Sequence, residues 1–325
     1  MINKHKSLLD KPVIYTEESY DAFIPVTTFR HLGVNDGLVD NLEPEQSTDL
    51  KVEFTGSSKT YKHVISGDAP SQSLNLTWDI AEGETQSFIL DLENEDSVSE
   101  GESVVDLKIR AAARSKANLY MVQRYSQAVA SQMKLHLDLA DGAKANLIFL
   151  DLGAVSHQGD VFAELGEAAE LQIGAVYFAA QDQIYDYNYL LRHRGENSLS
   201  DLVVRGALKD KAQKTLRYTL DFIKGSHGSR GFEKEEVMLL SDGVYNASVP
   251  YLLSGEDDVE GTHAASIGRL DEASLFYLMS RGFPRAEAER MLILAQFSAI
   301  LDRWPEGELH DELTEILRSK VVEDV

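Results

Sequence analysis

Lys134-Leu135-His136-Leu137-Asp138-Leu139, then Asp141-Gly142-Ala143, then Ala145-Asn146-Leu147-Ile148-Phe149, is the stretch from which the rest of the chain can be read. In the first run apolar and polar residues alternate, so one side turns inward and the other meets solvent, as in a half-buried strand. A short turn of small residues follows, and a second strand begins at once. No crossover helix fits in so short a gap. Much the same wording returns at Leu165-Gly166-Glu167-Ala168-Ala169-Glu170-Leu171, where the strand continues to Phe178.

Working outward, comparable runs occur at Leu74-Asn75-Leu76-Thr77-Trp78, Ser87-Phe88-Ile89-Leu90-Asp91-Leu92 and Val104-Val105-Asp106-Leu107-Lys108-Ile109. Others are Asp201-Leu202-Val203-Val204-Arg205 and Thr215-Leu216-Arg217-Tyr218-Thr219-Leu220. A loose repeat of short strands with small residues at the corners suits a β-solenoid, each coil burying its face against the next. The period is imprecise, and a β-sandwich fits the strand spacing as well. The β region is expected over 50–269, preceded by an irregular lead-in over 1–49 with room for one short helix.

From 270 to 325 the pattern becomes helical. Asp271 is suited to an N-cap, and Gly282 stands at a C′ position. Pro284 suits the first turn of a second helix, which carries Ala288, Met291, Leu292 and Ala295 on one face with Leu294, Phe297 and Leu301 beside it. Pro305 and Gly307 break that helix, and a third is expected from Glu312 to Lys320. The second helix is apolar over more of its circumference than the single stripe a surface helix needs. Burial against the β region or a partner surface would each explain it.

The chain carries 31 basic and 54 acidic residues, a net charge of −23. Such a surface repels phosphate backbones and anionic lipid, which argues against nucleic-acid and membrane binding. There is no cysteine. Disulfides, thiol nucleophiles and zinc-thiolate sites are therefore excluded. The N-terminus lacks the apolar run of a signal peptide, and no segment is long and apolar enough to span a bilayer, so a cytoplasmic location is expected.

Catalytic signatures are absent: there is no GxSxG elbow, no HExxH and no phosphate-cradling GxxxxGK[ST]. Lys224-Gly225-Ser226-His227-Gly228-Ser229-Arg230-Gly231 reads as an inter-coil turn. Glu233 and Glu235 share one face of a strand and Glu236 the other; the expectation is a solvated acidic face, with cation binding as the alternative. His193 is expected at a strand end or turn. His263, in Glu260-Gly261-Thr262-His263-Ala264-Ala265, joins the β region to the helices. A histidine among small residues is ordinarily packed and hydrogen-bonded, but the nearby Glu260, Asp257 and Asp258 make an iron-type ligand set worth testing.

Leu239-Leu240-Ser241-Asp242-Gly243-Val244, the junction Gly255-Glu256-Asp257-Asp258-Val259-Glu260-Gly261-Thr262-His263, and above all Leu275-Phe276-Tyr277-Leu278-Met279-Ser280-Arg281-Gly282 resemble the SufB/SufD family of iron–sulfur cluster assembly proteins. The strong similarity covers about 235–300, and a weaker one reaches back to about 100. The resemblance implies a right-handed parallel β-helix core followed by a C-terminal helical domain. It also implies a scaffold rather than an enzyme, docked on a SufC-type ABC ATPase and paired with itself or a SufB-like chain. The docking residues would be Leu275, Phe276, Tyr277, Met279, Arg281, Met291, Leu294 and Phe297.

His263 falls on the family's junction histidine, while Gly261, Ala264 and Glu235 stand where relatives carry Cys, Glu and Cys. Without a thiolate, the implied ligands reduce to His263, Glu235 and Glu260. No tightly bound cofactor is expected, only a transient iron–sulfur cluster or iron shared with a partner. The pattern is closer to a SufD-like or minimal SufBD member. Two other classes compete: a solenoid adaptor without any cluster role, and a β-helix enzyme acting on acidic polysaccharide, which the negative charge disfavours.

Overall fold

The computed structural model describes residues 42–323 other than residue 55. The short helix expected in the lead-in, wherever it falls over 1–41, lies outside the described residues. The strands run in chain order as β1 (Gln46–Lys51), β2 (Ser58–Ile65), β3 (Ser71–Ile80), β4 (Thr85–Asn94), β5 (Gly101–Ala111), β6 (Lys116–Gln123), β7 (Val129–Leu139) and β8 (Lys144–Asp151). They continue as β9 (Ser156–Leu165), β10 (Glu170–Ala179), β11 (Ile184–His193), β12 (Leu199–Leu208), β13 (Gln213–Phe222), β14 (Arg230–Leu239), β15 (Tyr245–Ser254) and β16 (Glu260–Gly268). Three helices follow: α1 (Glu272–Ser280), α2 (Arg285–Leu301) and α3 (Glu308–Glu323). The β region thus opens at Gln46, ahead of Leu50.

Odd-numbered strands form one eight-stranded sheet and even-numbered strands another, and neighbours pair in parallel. Each coil gives one strand to each sheet, so the chain is a parallel β-solenoid with a C-terminal helical domain. The sandwich alternative is set aside by this connectivity, because a sandwich pairs its strands antiparallel. The inner faces of the two sheets meet in one long core, from Leu74 and Trp78 through Leu135, Leu147, Ile173 and Leu191 to Leu220 and Val237.

One corner of the coil explains the sequence repeat. Gly83, Arg114, Gly142, Ala168, Asn197 and Gly228 all adopt positive φ. The N–H of each from Gly83 to Gly228 donates to a carbonyl in the next coil: Arg114 to Asp141, Gly142 to Glu167, Ala168 to Glu196, Asn197 to His227, Gly228 to Asp258. After every one of these but Gly83 the next residue is small and buried, as Ser115, Ala143, Ala169, Ser198 and Ser229. The glycine-rich run around His227 is therefore one rung of this ladder, and His227 faces out toward Asp258 at 3.1 Å.

A parallel sheet needs cover on both faces. The outer face of the even-strand sheet obtains it from α2 and α3: Ile293, Phe297, Ile300, Trp304, Leu313 and Leu317 pack on Val122, Ile148, Leu150, Val176, Phe178 and Met238. Arg124, bonded to Asp91 and reaching Glu312 at 2.6 Å, ties α3 down at the rim. α1 is capped as expected, with Asp271 accepting from the Ser274 N–H at 2.8 Å and Gly282 at φ 98°. α3 begins at Glu308, earlier than Glu312, because the Asp311 N–H already donates to Gly307.

Candidate functional site at the open end of the solenoid

Among the described residues the last coil, β15 and β16, has no further coil above it. On β14 the side chains alternate, so Gly231, Glu233, Glu235 and Val237 face the lumen. Glu233 and Glu235 are 3% and 1% exposed. The expected solvated acidic face is thus overturned. Only Glu236 points outward, where Arg205 and Lys234 pair with it at 2.9 and 2.7 Å.

Glu235 owes its place to Lys214, a fully buried lysine of β13 whose ammonium donates to Glu235 Oε1 and, at 3.1 Å, to Ser248 Oγ. Burial pushes the Lys214 pKa down against the opposing pull of Glu235. The ammonium also lies 5.8 Å from the centre of the Tyr177 ring. That ring fills the space over Gly206, where any Cβ would come within 1.9 Å of it. Only glycine at 206 lets the tyrosine lean toward the lysine.

Glu233 has no such cation. Its Oε1 finds no hydrogen-bond partner, and burial pushes its pKa up to about 9, so it holds a proton at neutral pH. The hydroxyls of Tyr177 and Tyr218 and Glu235 Oε2 are also buried without partners. Unpaired buried polar atoms of this kind are costly, and they recur along the lumen at Asp151 Oδ1 and His157 Nε2.

The two strands at the end bring some expected residues together and separate others. In the β14–β16 register His263 lies beside Glu233, Ala265 beside Glu235, and Glu260 beside Arg230. His263 therefore shares the lumen side with Glu233 and stands exposed at the end, not packed as a core histidine. Glu260, three residues earlier, takes the opposite face. His263, Glu235 and Glu260 do not converge, and among the described residues no three His, Asp or Glu side chains form a metal site. A cluster handled here would find one imidazole and a protonated carboxyl, too few ligands from this chain alone.

A family model described as SUF system FeS cluster assembly, SufBD core domain, matches residues 58–296. The chain belongs to that family. SufD of Bacillus subtilis (strain 168) is 31% identical over 140 residues, which cover 43% of this chain and 32% of that protein. A SufBD family protein of Mycobacterium tuberculosis (strain H37Rv) is 33% identical over 128 residues, 39% of this chain and 15% of that protein. One from Mycobacterium leprae is 28% identical over 192 residues, 59% of this chain and 22% of that protein. The chain spans about a third or less of the length of these SufBD relatives.

The second surface that the family resemblance singled out is α1 with the start of α2. Phe276, Tyr277, Met279 and Met291 are 73%, 56%, 42% and 39% exposed, and Arg281 stacks on Tyr277 at 5.2 Å. Leu275 and Phe297 are corrected to core positions, at 1% and 0% exposure, and Leu294 packs partly against the same core. The breadth of apolar surface on α2 is thus mostly explained by the sheet beneath it.

Sequence reasoning missed Lys214, which stands one residue before the run read as a strand from Thr215. It also missed a polar group deeper in the lumen. His157 Nδ1 lies 3.2 Å from Ser131 Oγ, its Nε2 lies 3.5 Å from Asp151 Oδ1, and the Tyr187 hydroxyl donates to Asp151 Oδ2 at 2.9 Å. His193 is likewise buried, bridging Ser198 and Ser200 at 2.7 and 2.9 Å and stacked on Phe222. No spacing rule flags these residues, because each becomes a lumen residue only through coil register.

Proposed function

We propose that this chain is a non-catalytic scaffold subunit of an iron–sulfur cluster assembly complex, held on a SufC-type ABC ATPase through α1 and the start of α2. The observation that carries the reading is the exposed set Phe276, Tyr277, Met279 and Met291 on a helical domain whose other face is fully committed to the solenoid. Large apolar side chains grouped on one exposed face mark an interaction surface. Aromatic residues and methionine beside an arginine have the composition of an interface core.

The complex works in the cytoplasm in this reading. The open end of the solenoid pairs with a second copy or a SufB-like chain. A nascent cluster, as cargo, meets His263 there, with thiolate ligands coming from the partner. The absence of cysteine also supports a second reading, in which the chain is an adaptor that never touches the cluster.

Tagged full-length protein is expected to retain the ATPase on co-purification, and Phe276→Asp with Met279→Asp to lose it while keeping the wild-type thermal midpoint. Failure of the wild type to retain any ATPase overturns the docking reading. Anaerobic reconstitution with partner present separates the two cluster readings: equal cluster yield for wild type and His263→Ala leaves only the adaptor.

A further inference from the structure

β13 is buried at every position except Gln213. Alternate residues of a strand turn to opposite sides, so both faces of β13 are covered. Leu216, Tyr218, Leu220 and Phe222 belong to the luminal core. Thr215, Arg217, Thr219 and Asp221 turn to the outside of the odd-strand sheet and are nevertheless 2%, 4%, 0% and 8% exposed. On a bare face an arginine keeps its head in water. Arg217 lies instead against the equally buried Asp186 of β11.

One row of side chains across this outer face shows where the cover begins. Lys108 of β5 is exposed, His136 of β7 and Phe162 of β9 are half-buried, and Leu190, Thr219 and Tyr251 are buried. Among the described residues nothing lies over this row, because the three helices pack on the other sheet or on one another. The Thr219 hydroxyl is buried without a hydrogen-bond partner. What lies above it therefore brings neither water nor a polar group, which makes the cover apolar. Val249 and Tyr251, with Ala247, form a separate apolar cluster beside it.

We infer that the cover is the chain's own lead-in, with Ala22 to Phe29 lying over Leu190, Thr219, Val249 and Tyr251 as a strap. Residues 1–41 are the one long stretch outside those described, and they precede the first coil. From β1 to β11 and β15 is five to seven strand spacings, about 25–35 Å. Roughly ten extended residues cross that distance. Counted back from Leu42, the crossing uses 32–41, and the next apolar run is Ala22-Phe23-Ile24-Pro25-Val26-Thr27-Thr28-Phe29. It carries no charge, in a chain of net charge −23, and Pro25 leaves one fewer N–H to bury. The strap closes the sheet face that α2 and α3 leave bare, and it stands whether or not the chain docks an ATPase.

The chain has no cysteine, so a single introduced thiol reports on one position. In the full-length protein Thr219→Cys is expected to react with a maleimide at least about a hundredfold more slowly than Lys108→Cys in the same row. Adding Phe23→Asp and Phe29→Asp should raise the rate at 219 at least about tenfold, while a luminal control, Ala163→Cys, stays slow in both backgrounds. Adding Phe23→Leu and Phe29→Leu, which keeps apolar area in the run, should leave 219 protected.

Equal rates at 219 and 108 overturn the cover. Protection at 219 that survives the two aspartates gives the cover to another segment and overturns the strap. Protection lost on dilution to nanomolar protein does the same, since the covering segment would then come from a second copy. A rise of equal size at 163 also overturns it, because Phe23 and Phe29 would then support the whole solenoid and not this face.

Discussion

In the middle of the lumen, Ser131, His157, Asp151 and Tyr187 occupy four neighbouring strands and are all buried. At its end, Lys214, Glu235, Glu233 and His263 occupy three strands, and the set grades from fully buried to exposed. Both groups put titratable side chains inside an apolar tube. Burial pushes the Asp151 pKa up and the His157 pKa down, each against the opposing pull of the other. The end keeps one charged pair, one protonated carboxyl and one solvent-facing imidazole. Both groups keep unpartnered buried atoms, Asp151 Oδ1 and His157 Nε2 in the middle and Glu233 Oε1 and Glu235 Oε2 toward the end, so what separates them is the buried Lys214 cation and the exposure that begins at the last coil with His263.

The widest contrast is expected from Lys214→Met. It strands Glu235 as an unpaired buried carboxyl and should cost about 3–5 kcal/mol in denaturant unfolding, with much of the loss recovered in Lys214→Met with Glu235→Gln. An effect under about 1 kcal/mol would show that water reaches the pair, and the end would then not be a closed interior. Tyr187→Phe sharpens the other side of the comparison. It removes one donor from Asp151 and should cost about 1–3 kcal/mol by the same measurement.

The last effect is one of slope with pH and not of a single value. Glu233 titrates near 9 when folded and near 4.3 when unfolded, so between these values the folded chain holds a proton that the unfolded chain has released. Stability falls as pH rises through that window, by at most about 1.4 kcal/mol per pH unit. The difference between wild type and Glu233→Gln should therefore move in favour of the glutamine form from pH 5 to pH 9. A flat difference would mean that Glu233 is ionised and paired. If the wild type dimerises, the slope should be compared at one protein concentration.

Much of the fold was legible along the chain. The alternating run Lys134–Leu139 and the corner at Gly142-Ala143 became β7, a left-handed rung and the start of β8. Asp271, Gly282 and Pro284 marked the helix ends correctly because capping is local chemistry. The second face of each strand was not legible. Glu233 and Glu235 read as a charge run, yet coil stacking puts them indoors, with Lys214 on the facing sheet as partner to Glu235. Leu275 and Phe297 read as docking residues, but both are buried, Phe297 against the even-strand sheet.

By itself the sequence determined the family, the parallel solenoid that family implies, the helical tail and the absence of any thiolate. These follow from residue identity, local periodicity and capping, which act over a few neighbouring positions. Only the tertiary structure decided which carboxylates are buried, which one is protonated, that His263 lies beside Glu233 and not Glu260, and that β16 ends its sheet among the described residues. Those properties depend on residues about thirty positions apart meeting across coils, which no local pattern along the chain encodes.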